Sequence, residues 1–130
     1  VTVYLSVAQV LRLHERLITV FGGSRGLRDA GSLESAVARP QMTFGGEDLY
    51  PDIAAKAAAL MHSLVMNHPF LDGNKRVGVM TMELFLLVNS CELDAVDEAI
   101  EAVTMAVARG EVEAEALAIW LRQRTRRTEM

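Results

Sequence analysis

The stretch His68-Pro69-Phe70-Leu71-Asp72-Gly73-Asn74-Lys75-Arg76 lies between two apolar segments of helical character, Ile53 to Asn67 and Lys75 to Asn89. Its reading decides the fold, because it is the joint of a helix–loop–helix. Pro69 disfavours helical backbone at the residue before it, so His68 is expected in an extended or turn conformation and the first helix ends there. Asp72-Gly73 is a turn dipeptide, and Asn74 then falls at or near the cap of the second helix.

The same nine residues carry chemistry. A helix start presents unpaired N–H groups and the positive end of the helix dipole, which together attract anions. Gly73 removes a side chain that would stand in the way of a phosphate. Lys75 and Arg76 oppose the dipole at that end, a conflict that a bound polyphosphate resolves. Arg76 suits bidentate contact with phosphate oxygens, and Lys75 acts as a point charge. Asp72 suits Mg²⁺, which takes one or two carboxylates plus substrate phosphates. His68 is a candidate general base, the usual role of a histidine at a reacting hydroxyl. Phe70 is expected to turn inward and anchor the loop. Each feature also has a plain structural reading: a surface histidine before proline, a turn, a solvated cationic face. Their fixed order across one loop points to function.

Working outward, the chain reads as an all-α, compact bundle of about six helices with an irregular flap before the central one. Ser6 is placed to cap a helix from Val7 to about Val20, with Val10, Leu13, Leu17 and Val20 on one face. Gly22-Gly23 ends it. Asp29–Gly31 reads as a turn, Ser32 as the cap of a short helix, and Pro40 as its stop. Residues 41–51 have no helical period and read as a loop or irregular hairpin, whose aromatics either pack back on the core or form a mobile flap. The small residues of Ile53–Asn67 predict close packing and a central position. Lys75–Asn89, apolar nearly all round, is expected to be buried. Asp97 to about Arg109 and Glu113 to about Arg124 complete the set, with no convincing strand ladder. The seven methionines read as core filler.

Composition bounds the function. The 130 residues suit one domain over positions 1–130, and 51% apolar content excludes disorder. A net charge of −4 argues against bulk nucleic-acid binding. No apolar run approaches the ~20 residues of a membrane span, and the first residues lack the basic start of a signal peptide. Cys91 has no internal partner and reads as a small, partly buried core residue, which fits a reducing cytoplasm. Arg122, Arg124, Arg126 and Arg127 follow Glu111, Glu113 and Glu115, the order expected of one solvated helix aligned with its dipole.

The nine-residue stretch resembles the signature of the Fic/Doc superfamily, H-x-F-x-(D/E)-G-N-G-R-x-x-R in the Fic branch. His68, Phe70, Asp72, Gly73, Asn74 and Arg76 fall in place. Lys75 replaces the second glycine and Val79 the last arginine, and both departures resemble the Doc branch. Leu27 to Ala36 and Arg39 to Pro51 also look like the lead-in of that branch, so the likeness covers about Leu5 to Asn89.

The resemblance implies a toxin of a toxin–antitoxin pair. Such a protein would use ATP and Mg²⁺ to move the γ-phosphate to a threonine of elongation factor Tu, blocking translation. It implies His68 as general base and Asp72 as the Mg²⁺ ligand that also orients His68, with Gly73, Asn74, Lys75 and Arg76 on the phosphates. It makes Met42, Thr43, Phe44, Gly45 and Gly46 part of a target-binding flap, with Arg39-Pro40 fixing its base. The inhibitory string (S/T)-x-x-x-E-(G/N) of many Fic proteins has no match; Thr43-Phe44-Gly45-Gly46-Glu47-Asp48 fails at its last position. Inhibition is therefore expected from a separate antitoxin chain, disordered until bound. No direct nucleic-acid or membrane partner is implied. Two alternatives remain open: an AMP-transferase that lost two motif residues, and a non-catalytic domain that binds antitoxin or nucleotide.

Overall fold

The structure, a computed structural model, describes residues 1–128. Six α-helices make up most of it: α1 (Val7–Phe21), α2 (Ala30–Ala38), α3 (Ile53–Asn67), α4 (Asn74–Val88), α5 (Asp97–Ala108) and α6 (Ala114–Arg124). A 3₁₀ turn (Arg39–Gln41) leads from α2 into a small antiparallel hairpin, β1 (Thr43–Phe44) and β2 (Glu47–Asp48). No helix among the described residues is long and apolar enough to cross a membrane.

Helix α3 is the axis of the bundle, and its most extensive contacts are with α4 and α6. Its alanines explain this: Ala57, Ala58 and Ala59 are fully buried and let neighbouring backbones approach closely. Gly78 of α4 shows how closely. A Cβ there would lie 2.7 Å from Val65 Cγ2, so Gly78→Ala would overpack the contact, at a typical cost of about 1–3 kcal/mol. Asp52 caps α3, its Oδ1 accepting from the Ala55 amide at 2.8 Å. Ser6 caps α1 through a full capping box with Gln9.

Several details differ from the sequence reading. The buried stripe of α1 is Val10, His14, Leu17 and Ile18, whereas Val20 is exposed and Leu13 only half-buried. Positions i, i+4, i+7 and i+8 form the inward face, and a histidine occupies one of them. Asp29, not Ser32, caps α2; its side chain accepts from the Ser32 amide. Helix α4 starts at Asn74 with Gly73 as its N-cap. It is not buried all round: Leu87 and Val88 are exposed at its end.

A second two-stranded sheet departs from the expectation of no strand ladder. Strand β3 (Cys91–Leu93) pairs antiparallel with β4 (Thr125–Arg127). Only Arg122 and Arg124 therefore end a helix, while Arg126 and Arg127 lie in a strand. Arg126 pairs with Glu92 at 2.6 Å, Arg122 with Asp52 at 2.8 Å, and Arg124 lies 4.4 Å from the Trp120 ring centroid. Most of the cluster is spent on local contacts that tie the C-terminal segment down. Cys91 is buried, as expected of a small core residue.

Candidate active site

The loop between α3 and α4 begins at His68, which caps α3 in the left-handed region (φ 49°, ψ 58°). That conformation is uncommon for a residue with a side chain, although histidine adopts it more readily than most. Of the extended or turn backbone expected there, the turn form occurs and ends the helix, and another part of the chain holds that end. Arg28, in the connector between α1 and α2, donates from Nε to the His68 carbonyl at 2.5 Å and from Nη2 to the Asn67 carbonyl at 2.6 Å. One guanidinium thus satisfies two carbonyls that a helix terminus leaves open. The His68 side chain stays exposed.

The α1–α2 connector runs beside the loop almost as a paired strand. The amides of Arg28 and Asp29 donate to the Pro69 carbonyl at 2.8 and 3.0 Å, and Leu71 N–H donates to the Gly26 carbonyl at 3.1 Å. Leu27 and Phe70 form an antiparallel bridge. Asp72 Oδ2 accepts from the Ser24 amide at 3.1 Å, and Oδ1 accepts from the Gly73 amide at 2.9 Å. Gly23 makes room: a Cβ there would lie 2.6 Å from Asp72 Oδ2, and its φ of +116° suits glycine. The sequence pattern pointed to Gly22-Gly23 only as a helix stop. Its second use, clearance for Asp72, needed the fold to become visible.

Phe70 does turn inward and is 2% exposed. Its ring stacks on His14 of α1 with centroids 3.7 Å apart and planes within 7°. The side chain of Asn74 closes the loop on itself, Oδ1 accepting from Phe70 N–H and Nδ2 donating to the Phe70 carbonyl, both at 3.0 Å. Gly73 takes φ +79°, and a Cβ on it would press on Leu17 at 3.0 Å. The added atom would point at α1, so turn geometry and packing account for the glycine rather than clearance for a phosphate.

No side chain caps α4, so the amides of its first turn have no acceptor within the helix. Lys75 and Arg76 are exposed on this turn. Arg76 stacks over Phe21 of α1, 4.1 Å from the ring centroid. Both cations stand at one end of a cleft of about 550 Å³ between α4 and α5. Val79, Met80, Ile100 and Met105 line it, and Glu83, Asp97 and Glu101 form an acidic wall. Burial, with a smaller effect of the nearby Asp97 charge, holds the Glu83 carboxyl above its usual range. The structure brings His68, Asp72, Gly73, Asn74, Lys75 and Arg76 into one loop and helix start; the hydrogen bonds of the Asp72 carboxylate run to the Ser24 and Gly73 amides, not to His68.

The Met42–Gly46 segment supplies β1 and the turn of the β1–β2 hairpin, with Gly45 and Gly46 both at positive φ (61° and 83°) as a tight hairpin turn demands. Its aromatics divide: Phe44 is 82% exposed, while Tyr50 packs against the core. Arg39 ties the base, donating from Nε to the Tyr50 hydroxyl and from Nη1 to Ser63 Oγ, both at 2.7 Å. Lys56, buried within α3, donates to Asp48 Oδ2 at 3.0 Å and to the Tyr50 carbonyl at 2.5 Å. Sequence reasoning passed over Lys56, His14 and Ser24. A lysine set among the alanines of residues 54–59 is the one signal in the sequence that flags Lys56.

For Mg²⁺ the fit is conditional. No group of three or more His, Cys, Asp or Glu side chains converges among the described residues. Asp72 alone offers a carboxylate whose oxygens each accept one amide hydrogen and so keep lone pairs free. That suits an ion carried in by phosphates, not one caged by protein.

The model of the Fic/DOC family matches residues 4–86, which include this helix–loop–helix. The chain belongs to that family. It is similar to a protein named Toxin Doc from Mycolicibacterium smegmatis, 49% identical over 75 residues, which cover 58% of this chain and 58% of that relative. It is also similar to the protein named Protein kinase doc of Escherichia phage P1, 28% identical over 120 residues, 92% of this chain and 94% of the relative.

Proposed function

We propose that this chain is the toxin of a toxin–antitoxin pair and a protein kinase of Doc type. It moves the γ-phosphate of ATP to a protein hydroxyl, a threonine of elongation factor Tu, and so blocks translation. The observation that carries this reading is the uncapped start of α4, which bears Lys75 and Arg76 directly after the loop of His68 and Asp72. The names of the two relatives, a toxin and a protein kinase, support it.

The phosphates take the cationic end of the α4–α5 cleft, because the acidic wall repels them from the other. The α4 amides, Lys75 and Arg76 stabilise the charge that spreads over the transferred group. Mg²⁺ carried by the nucleotide and held by Asp72 would neutralise part of that charge. His68 accepts the proton of the target hydroxyl. The bond from the γ-phosphorus to the bridging oxygen breaks as the bond to the hydroxyl oxygen forms, and ADP leaves. Asn74 serves the phosphates by holding the loop around Phe70. The hairpin pairs with the target segment as an added strand. A separate antitoxin, disordered until bound, silences the enzyme through an apolar helical face.

Expression of the chain without an antitoxin tests this reading. Growth arrest that His68→Ala and Asp72→Ala both abolish is expected. Arrest that survives both substitutions would favour a binding domain over an enzyme.

A further inference from the structure

Within the buried stripe of α1, Val10, Leu17 and Ile18 are aliphatic and His14 is not. His14 is 4% exposed. A buried imidazole costs solvation unless its nitrogens find partners, so a leucine would serve the core better. The histidine does something a leucine cannot. Its Nε2 lies 2.7 Å from the Asp72 carbonyl oxygen. A carbonyl only accepts, so Nε2 must carry the hydrogen. The ring face meanwhile supports Phe70, and a Cβ added to Gly73 would lie 3.5 Å from Nε2. One ring on another helix therefore touches the loop at residues 70 and 72 and packs beneath the N-cap of α4.

We infer that His14 is a positioning residue of the candidate active site: its Nε2–H, bonded to the Asp72 carbonyl, and its stack on Phe70 set where the Asp72 carboxylate and the first α4 amides stand. This rests on the phosphotransfer reading above. Ser24 fixes the carboxylate from outside and His14 fixes the backbone of the same residue from inside. With both links in place Asp72 has one position relative to α4.

The test compares His14→Phe, which keeps an aromatic stack and loses the donor, with His14→Gln, whose amide nitrogen reaches the same carbonyl. Circular dichroism and melting temperature establish that each folds. Long-range ¹H–¹⁵N spectra of the unaltered protein read the His14 tautomer independently of activity. The expected result is a slowly exchanging Nε2–H. His14→Phe should then raise the Mg²⁺ concentration for half-maximal transfer and lower kcat by up to about a hundredfold, the scale of a 1 Å misplacement. KM for the protein target should hold, and His14→Gln should recover most of the loss. Should the phenylalanine variant not fold, His14→Asn, whose shorter amide misses the carbonyl, takes its place. An Nδ1–H tautomer, or a donor-less variant with unaltered kcat and Mg²⁺ dependence, would overturn the inference. An Nε2–H tautomer in a protein that transfers no phosphate would instead sink the phosphotransfer reading and leave the His14–Asp72 link standing.

Discussion

Arg28 and His68, forty positions apart, are joined by a hydrogen bond of 2.5 Å from the guanidinium to the carbonyl oxygen at the end of α3. The candidate base is therefore held by its backbone, from an exposed connector, while its side chain stays open. Arg28→Met should free both the His68 and Asn67 carbonyls. Because Arg28 is solvent-exposed, stability should fall by only about 1 kcal/mol, while transfer falls at least tenfold as His68 loses its fixed position. Arg28→Lys should recover little, because one ammonium cannot copy the two-pronged contact. Melting temperature and turnover measured together decide it; unchanged turnover in the methionine variant would refute the role.

Lys56 links the core to the hairpin through Asp48 and the Tyr50 carbonyl. Replacing a buried charge by an apolar side chain of similar length is often close to neutral for stability. Lys56→Met should therefore melt within a few degrees of the unaltered protein, but with a raised KM for the protein target and unchanged affinity for ATP. Asp48→Asn should shift the same constant less. Equal losses in both affinities would mean that the lysine supports the whole bundle.

Glu83 carries a pH dependence. Its carboxyl is held above the usual range by burial, then by the charge of Asp97. The folded state thus binds this proton more tightly than the unfolded state. Its contribution to stability is full below the ordinary glutamate range and is lost as pH rises through the folded-state value. Glu83→Gln should accordingly raise the melting temperature at neutral pH, and the gain should vanish in acid. A loss of stability at neutral pH would contradict this.

Asp52 has the opposite sign. The paired Arg122 side chain, aided by the Ala55 amide, holds its carboxyl below the ordinary range. This stability is present above the ordinary aspartate value and lost as pH falls through the depressed one. Asp52→Ala removes cap and pair together and should cost about 1–2 kcal/mol at neutral pH. Asp52→Asn keeps a capping oxygen and should cost less than 1 kcal/mol, since the pair is half-exposed. Denaturant midpoints of the two variants at neutral and acid pH separate the contributions.

Local patterning made much of this fold readable. The six helices follow from apolar periodicity, and Ile53–Asn67 falls where its residues predicted. Tertiary placement was not readable. A histidine is polar, so the apolar pattern of α1 points to Leu13 and Val20, whereas the inward face carries His14 and Ile18. The β3–β4 pair joins segments more than thirty residues apart and too short for a period, and so escaped notice. The loop His68–Arg76 stood out because its chemistry is contiguous. The residues that hold it, Ser24, Arg28 and His14, are remote in sequence, and nothing local to Ser24 or His14 announces the bond it makes.

The central claim is transfer of the γ-phosphate, and one labelling experiment tests it most directly. The purified chain is incubated with Mg²⁺ and elongation factor Tu, with ATP labelled at either the γ- or the α-phosphate, beside a His68→Ala control. Label on the target from the γ-position alone, falling by about 10²- to 10⁴-fold in the control, is the predicted result. Label from the α-position would make the chain an AMP-transferase despite Lys75 and Val79 and would contradict the account.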